Sequence, residues 1–178
     1  MKAARIAAVV MLITGLGIAQ DVAVPAASEA RDMMRAAAAD RSLAMFMTAV
    51  QSSGMAKMMR DQGPLTVFAV SNRAFSDLSK EDRDALLAKP AAMNFLLAHY
   101  IARGIIASDD RADLLPARTV MGAKLRIDVR GEDFYVNGSR LGRVGVRCTN
   151  GMIYVLDSFD PGLIHDALAI SRADSREK

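Results

Sequence analysis

Between the Gly63-Pro64 turn and the polar pair Ser71-Asn72 lie six residues, Leu65-Thr66-Val67-Phe68-Ala69-Val70, with no charge among them. A run of six is too short for a helix, and its β-branched, apolar character fits a strand buried on both faces. Ser71 and Asn72 tolerate a turn and can bond local backbone, so the strand ends in a side-chain-tied corner before Ala74 and Phe75 turn apolar again. This predicts a central strand.

Upstream the pattern is helical. It runs from about Ala30 to Ala39, and again from Ser42, where Leu43, Phe46, Met47 and Val50 fall on one face. Gly54 suits the stop, and Met55, Met58 and Met59 add a helical turn before Asp61. Downstream, Ser79 is placed to cap a helix, with Asp82 favouring that end electrostatically. Pro90 suits the first turn of the next helix, in which Met93, Leu96, Leu97, Tyr100 and Ile101 recur at helical spacing and Gly104 is the stop. From Leu114 the period changes. Leu125, Ile127 and Val129 alternate with Arg126, Asp128 and Arg130, a half-exposed strand. Gly131-Glu132-Asp133 turns it into Phe134-Tyr135-Val136, and Asn137-Gly138 is a hairpin signal leading to Val144, Val146 and Cys148. Asn150-Gly151 turns once more into Met152–Leu156, a last buried strand. Helices first and strands later, without βαβ alternation, predict an α+β fold with an antiparallel, sandwich-like sheet.

The chain of 178 residues is long enough for one domain with appendages. Residues 1–19 read as a secretory signal: Lys2 and Arg5 precede an uncharged apolar run from Ile6 to Ile18, and Gly17-Ile18-Ala19 offers a cleavage pattern. No Cys follows that run, which excludes a lipoprotein anchor at this site, and the run is shorter than a spanning helix needs, so cleavage and export without a membrane span are expected, with an uncleaved anchor as the lesser alternative. Residues 20–30 read as a flexible lead-in, 31–166 as the domain and 167–178 as a polar tail. Without Lys2 and Arg5 the formal charge falls from +3 to +1, which with no basic run excludes a nucleic-acid footprint. The single cysteine, Cys148, rules out an intrachain disulfide and reads as a buried, inert thiol.

Two stretches carry a family resemblance. Thr66, Val67, Phe68, Ala69, Asn72, Ala74 and Phe75 match the first signature box of fasciclin-type domains, Thr-Val-Phe-Ala-Pro-Thr-Asn-x-Ala-Phe, with Val70 and Ser71 in place of Pro and Thr. Asn150, Gly151, Ile153, Val155 and Asp157 match the second, Asn-Gly-x-Ile-His-Val-Ile-Asp, with Tyr154 in place of His. The chain thus resembles a single-domain, exported bacterial member of the fasciclin family from about Met33 to Pro161. The resemblance implies a wedge-shaped antiparallel β-sandwich flanked by several helices, with the two boxes as adjacent central strands. The Tyr-His pair linked to integrin binding in animal members is inverted here as His99-Tyr100, a weak candidate binding pair. The Asp-Ile pair aligns with Gly145-Val146, so the acid of that motif is absent.

The residues themselves offer no catalytic constellation and call for no cofactor. Two histidines, His99 and His165, stand without Gly-x-Ser-x-Gly, zinc-ligand spacing or a phosphate-cradling loop, and His99 reads as a structural histidine. Seven of the twelve methionines lie between Met33 and Met59. Their thioethers are the type that binds Cu(I), but filling an irregular core is the preferred reading, and a Met-lined surface for an apolar ligand ranks between the two. Asn137-Gly138-Ser139 fits a glycosylation acceptor and is better explained as the hairpin turn. Arg126, Asp128, Arg130, Glu132 and Asp133 read as the solvated face of a sheet, with mixed charge suited to an anionic polysaccharide. The expectation is an exported, non-catalytic adhesion module, periplasmic, cell-surface or secreted, whose partner is a surface protein or polysaccharide. The alternative is a soluble carrier of an apolar molecule such as a carotenoid.

Overall fold

The apolar run forms strand β1, Leu65–Val70, and all six of its residues are buried. The computed structural model describes residues 31–106, 118–130 and 133–173; the leader and lead-in lie outside the described residues. Before β1 come α1 (Met33–Ala39), a 3-10 turn (Arg41–Leu43), α2 (Ala44–Ser52) and α3 (Met55–Asp61). After it come α4 (Asn72–Ser76), α5 (Lys80–Leu87), α6 (Pro90–Ala98), β2 (Ile101–Arg103), β3 (Ile127–Arg130), β4 (Asp133–Val136), β5 (Ser139–Cys148), β6 (Gly151–Leu156) and α7 (Pro161–Ala173).

Local chemistry sets these bounds. The Asp32 carboxylate accepts from Arg35 N–H to start α1, and Ser79 Oγ accepts from Asp82 N–H to start α5. Gly54, with φ of 76°, separates α2 from α3 in a conformation that side chains resist. Asn137 and Gly138, at φ of 50° and 82°, make the tight turn that pairs β4 with β5.

The strands join in one sheet in the order β2-β1-β6-β5-β4-β3. The two signature strands are neighbours, as the resemblance implies. They run parallel, however, from Leu65 beside Gly151 to Val70 beside Leu156, while every other pair is antiparallel. The expected all-antiparallel sheet is corrected on this point. The long return through α4 to α6 and β3 to β5 brings the chain back to the same end of the sheet, which a parallel pair requires.

Among the described residues all six strands belong to this one sheet, and the expected sandwich is not confirmed. Phe68 of β1 and Ile127 of β3 line one apolar space together with Phe134, Leu141 and Tyr154. In a flat sheet β1 and β3 would lie about 19 Å apart, at roughly 4.8 Å per strand. The sheet therefore curls into an open half-barrel and closes its interior upon itself. The bend is at β5, whose pairing with β6 slips between Leu141 and Arg143 and again between Arg143 and Val146. Bulges of this kind sharpen twist and coil.

Two element bounds differ from expectation. The helical spacing of Met93, Leu96 and Leu97 does not continue to Ile101: α6 ends at Ala98 and Ile101 opens β2 against Val67. Pairing with β1 wins over periodicity, because both faces of Ile101 are buried only in the sheet. The polar tail expected from residue 167 is, as far as Ala173, the second half of α7. Ile164, Ala167, Leu168 and Ser171 bury one face of that helix, and Ser171 Oγ donates to the Ala85 carbonyl of α5 at 2.9 Å. A serine with its hydroxyl satisfied is as good a core residue as alanine, which the polar reading of the sequence missed.

Candidate functional site

Three polar residues of the two signature boxes, Thr66, Asn72 and Asn150, bond to backbone groups of neighbouring segments. Asn72 Oδ1 accepts from Met45 N–H at 2.9 Å and its Nδ2 donates to the Arg41 carbonyl at 2.9 Å. Asn150 repeats the arrangement: Oδ1 accepts from Met33 N–H at 2.9 Å and Nδ2 donates to the Met59 carbonyl at 2.8 Å. Each amide thus satisfies a free N–H at the start of a helix and one carbonyl, so the two boxes clamp α2 and α1 onto the sheet. Thr66 Oγ1 donates to the Gly104 carbonyl at 2.8 Å and accepts from Ile106 N–H at 2.9 Å, fixing the exit from β2. Phe68 stacks on Tyr154 at 5.5 Å, and Phe75 meets Phe159 edge-on at 4.9 Å. Val67, Ala69, Ala74, Gly151, Ile153 and Val155 are buried around them, and Asp157 is half-buried at the end of β6. Thr66, Asn72 and Asn150 thus spend their polar groups on backbone partners within the fold.

The departures from the family pattern are coupled in space. Tyr154 Oη donates to the Ile106 carbonyl at 2.7 Å, and its ring lies where a side chain on Gly145 would come within 2.5 Å. Glycine at 145 leaves room for tyrosine at 154. An aspartate at 145 would require the Tyr154 ring to shift.

His99 and Tyr100 are split apart. His99 Nδ1 sits 2.8 Å from the Phe95 carbonyl and its ring tilts against Phe95 at 4.5 Å, so it closes the last turn of α6 as a structural histidine. Tyr100 is wholly buried and its hydroxyl accepts from Asp160 N–H at 2.7 Å. Burial pushes its phenol up to about 12, against the pull of that N–H. No partner can reach Tyr100, so the pair does not act as one recognition unit. Cys148 is buried, and burial, with the Asp32 carboxylate second, raises its pKa, the opposite of what a reactive thiol needs.

The methionines fill the helical core. Met33, Met55 and Met59 are buried, and Met34, Met45, Met47 and Met58 pack against them. The apolar space inside the curled sheet, lined by Phe68, Ile106, Ile127, Phe134, Val136, Leu141 and Tyr154, is only about 20 Å³. One water needs about 10–15 Å³ by the same measure, and a ligand pocket some 300–1,000 Å³. The carrier alternative finds no room there. Among the described residues no three His, Cys, Asp or Glu gather as a metal set, and no helix is long and apolar enough to cross a membrane.

The outer face of β3, β4 and the start of β5 is one exposed surface of the described residues. Register places Asp128 beside Tyr135 and Tyr135 beside Arg140. Arg126, Asp128, Arg130 and Arg140 are exposed, while Leu125, Val136 and Ser139 of the opposite parity are buried. The Arg130 guanidinium lies 4.6 Å from the centre of the Tyr135 ring. Arg126, Asp128 and Arg130 were legible as a solvated face; Tyr135 and Arg140 were not assigned to it. The Asn137-Gly138 turn held the signal, since a two-residue hairpin sets 136 against 139 and 135 against 140.

A single curled mixed sheet with helices packed on it, its two signature strands side by side, is the architecture on which the comparisons with known proteins bear. The Fasciclin domain model covers residues 41–159, and the chain belongs to that family. It is 25% identical over 119 residues to transforming growth factor-beta-induced protein ig-h3 of Sus scrofa, covering 67% of this chain and 17% of that protein. The chain therefore spans only a small part of that relative. Protein sll1735 of Synechocystis sp. is 24% identical over 127 residues, which cover 71% of this chain and 95% of the relative. The FAS1 domain pair of the insect cell adhesion molecule fasciclin I superposes with a TM-score of 0.58 at 15% identity, over 72% of this chain and 50% of the pair.

Proposed function

We propose that this protein is an exported, non-catalytic fasciclin module that acts in adhesion by binding a protein or polysaccharide at the cell envelope or matrix. The observation that carries this reading is the internal use of Thr66, Asn72 and Asn150, which leaves recognition to exposed surface. A structural relative from an insect cell adhesion molecule supports the same class. Recognition does not follow the animal integrin motif, whose acidic position is Gly145 packed beneath Tyr154. Export rests on the reading of residues 1–19 as a secretory signal.

The test is twofold. Fractionation of the native host by immunoblot is expected to find the protein in the envelope or medium, shortened at its N-terminus. Beads coated with the purified protein are expected to capture host cells or envelope fragments in excess over beads coated with heat-unfolded protein. A cytosolic, full-length product or equal capture by both beads overturns the reading.

A further inference from the structure

Two of the asparagines stand before glycine, in Asn137-Gly138 and Asn150-Gly151. In such a pair the glycine N can attack the preceding side-chain amide, because no Cβ hinders the approach. The dipeptide is the same, yet the fold treats its two copies in opposite ways.

Asn150 is held at both ends of its side chain. Oδ1 accepts from Met33 N–H and Nδ2 donates to the Met59 carbonyl, so Cγ is not free to swing towards the next backbone N. Its own carbonyl accepts from Leu65 N–H at 3.1 Å, and Gly151 is pressed so closely on β1 that an added Cβ would run into the Leu65 carbonyl oxygen. That backbone has no room beside it for a new ring.

Asn137 is held at one end only. Among the described residues its Nδ2 and the Gly138 N–H have no hydrogen-bond partner. Gly138 is exposed, and nothing lies within 4 Å of a Cβ placed on it. The bond that Asn137 Oδ1 does make favours attack. Arg126 N–H donates to that oxygen at 3.0 Å, and charge builds there when the amide carbon is attacked. The donor is fixed in place, because Asn137 N–H donates back to the Arg126 carbonyl at 2.7 Å.

We propose that Asn137 is a site of spontaneous deamidation and isomerisation, through which the β4–β5 turn ages to isoaspartate while the fold keeps Asn150 intact. Gly138 N gives up its proton to a solvent base and bonds to Asn137 Cγ; the Cγ–Nδ2 bond breaks and Nδ2 leaves as ammonia. Water then opens the resulting succinimide. Cleavage at Cγ restores the ordinary backbone with aspartate, and cleavage at the main-chain carbonyl routes the backbone through Cγ as isoaspartate. The products differ in consequence. Aspartate still offers Arg126 N–H an oxygen. Isoaspartate lengthens the backbone by a methylene, and the two-residue turn that sets Val136 against Ser139 has no slack for it. Both of those residues are buried, so their pairing cannot slip without exposing them. The proposal stands apart from the adhesion reading.

The experiment incubates the purified full chain in mildly alkaline buffer, folded or in urea. Peptide mass spectrometry follows the amide-to-acid mass gain at each asparagine, and isoaspartyl methyltransferase labels isoaspartate. In the folded protein Asn137 is expected to convert about tenfold or more faster than Asn150, which must first open locally. In urea both convert, and the gap is expected to shrink to within about threefold. A smaller gap in the folded protein, or no conversion of Asn137 there, overturns the proposal. So does an equally wide gap in urea, since flanking sequence rather than fold would then set it. The isoaspartyl fraction, separated chromatographically, is expected to show faster amide hydrogen exchange in β4 and β5 than the Asn137→Asp variant, which carries the same charge on an ordinary backbone. Equal exchange in the two overturns the role given to turn length.

Discussion

Asn72 and Asn150 do the same work at two corners of the sheet, each pairing one helix-start N–H and one carbonyl. Replacing either with alanine leaves a backbone donor and acceptor unpaired, and each variant is expected to lose about 1–3 kcal/mol in urea unfolding. The clamps serve different helices and share no partner, so the double variant is expected to show the sum within about 0.5 kcal/mol. A second pair is expected to couple. Gly145→Asp drives a side chain into the Tyr154 ring and is expected to cost about 1–3 kcal/mol. In a Tyr154→His background the same substitution is expected to cost about half as much or less, because the outer edge of the ring is gone. Thermal melts of the four proteins close that cycle.

At the scale of elements, α7 is the part whose role is most easily underestimated. It packs on α5 and α6, and its buried stripe of Ile164, Ala167 and Leu168 covers their outer side. Leu168→Ala is expected to destabilise the protein by about 2–5 kcal/mol, measured by denaturant titration, where a residue in a frayed tail would register under about 0.5. The strands differ among themselves. β1 and β6 are buried over their full length and hydrogen-bonded on both edges, whereas β3 is an edge strand with alternate residues in solvent. Amide hydrogen exchange is expected to be slowest in β1 and β6 and fastest in β3.

For the molecule as a whole, the curl of the sheet and the buried Tyr100 hydroxyl tie the parts together. Tyr100 follows α6 and receives the Asp160 N–H that leads into α7. Its pKa, about 12 in the fold against an ordinary 10.0, means that folding favours the protonated phenol. Its contribution is full below pH 10 and is lost as pH rises from about 10 to about 12, roughly 2–3 kcal/mol in all. The urea midpoint is expected to fall over that interval, and Tyr100→Phe to remove this part of the pH dependence at a constant cost for the orphaned Asp160 N–H.

Adjacent chemistry in the chain sufficed for much of this. The buried run Leu65–Val70, the Ser79 cap, Gly54, Pro90 and the Asn137-Gly138 turn are local devices, and each stands where its chemistry predicts. The two signature boxes were enough to place the family. Partners far apart in the chain decided the rest. Ile101 became a strand because β1 offered it an edge, and Ser171 became core because the Ala85 carbonyl lay opposite. The parallel pairing of β1 with β6 depends on contacts 86 residues apart, Leu65 with Gly151, which no local period records. Whether alternating strands close as two sheets or one curled sheet depends on the slipped register in β5. Local geometry is written in the propensities of neighbouring residues, while curvature, strand direction and the pairing of distant donors with acceptors arise only when the whole chain is packed.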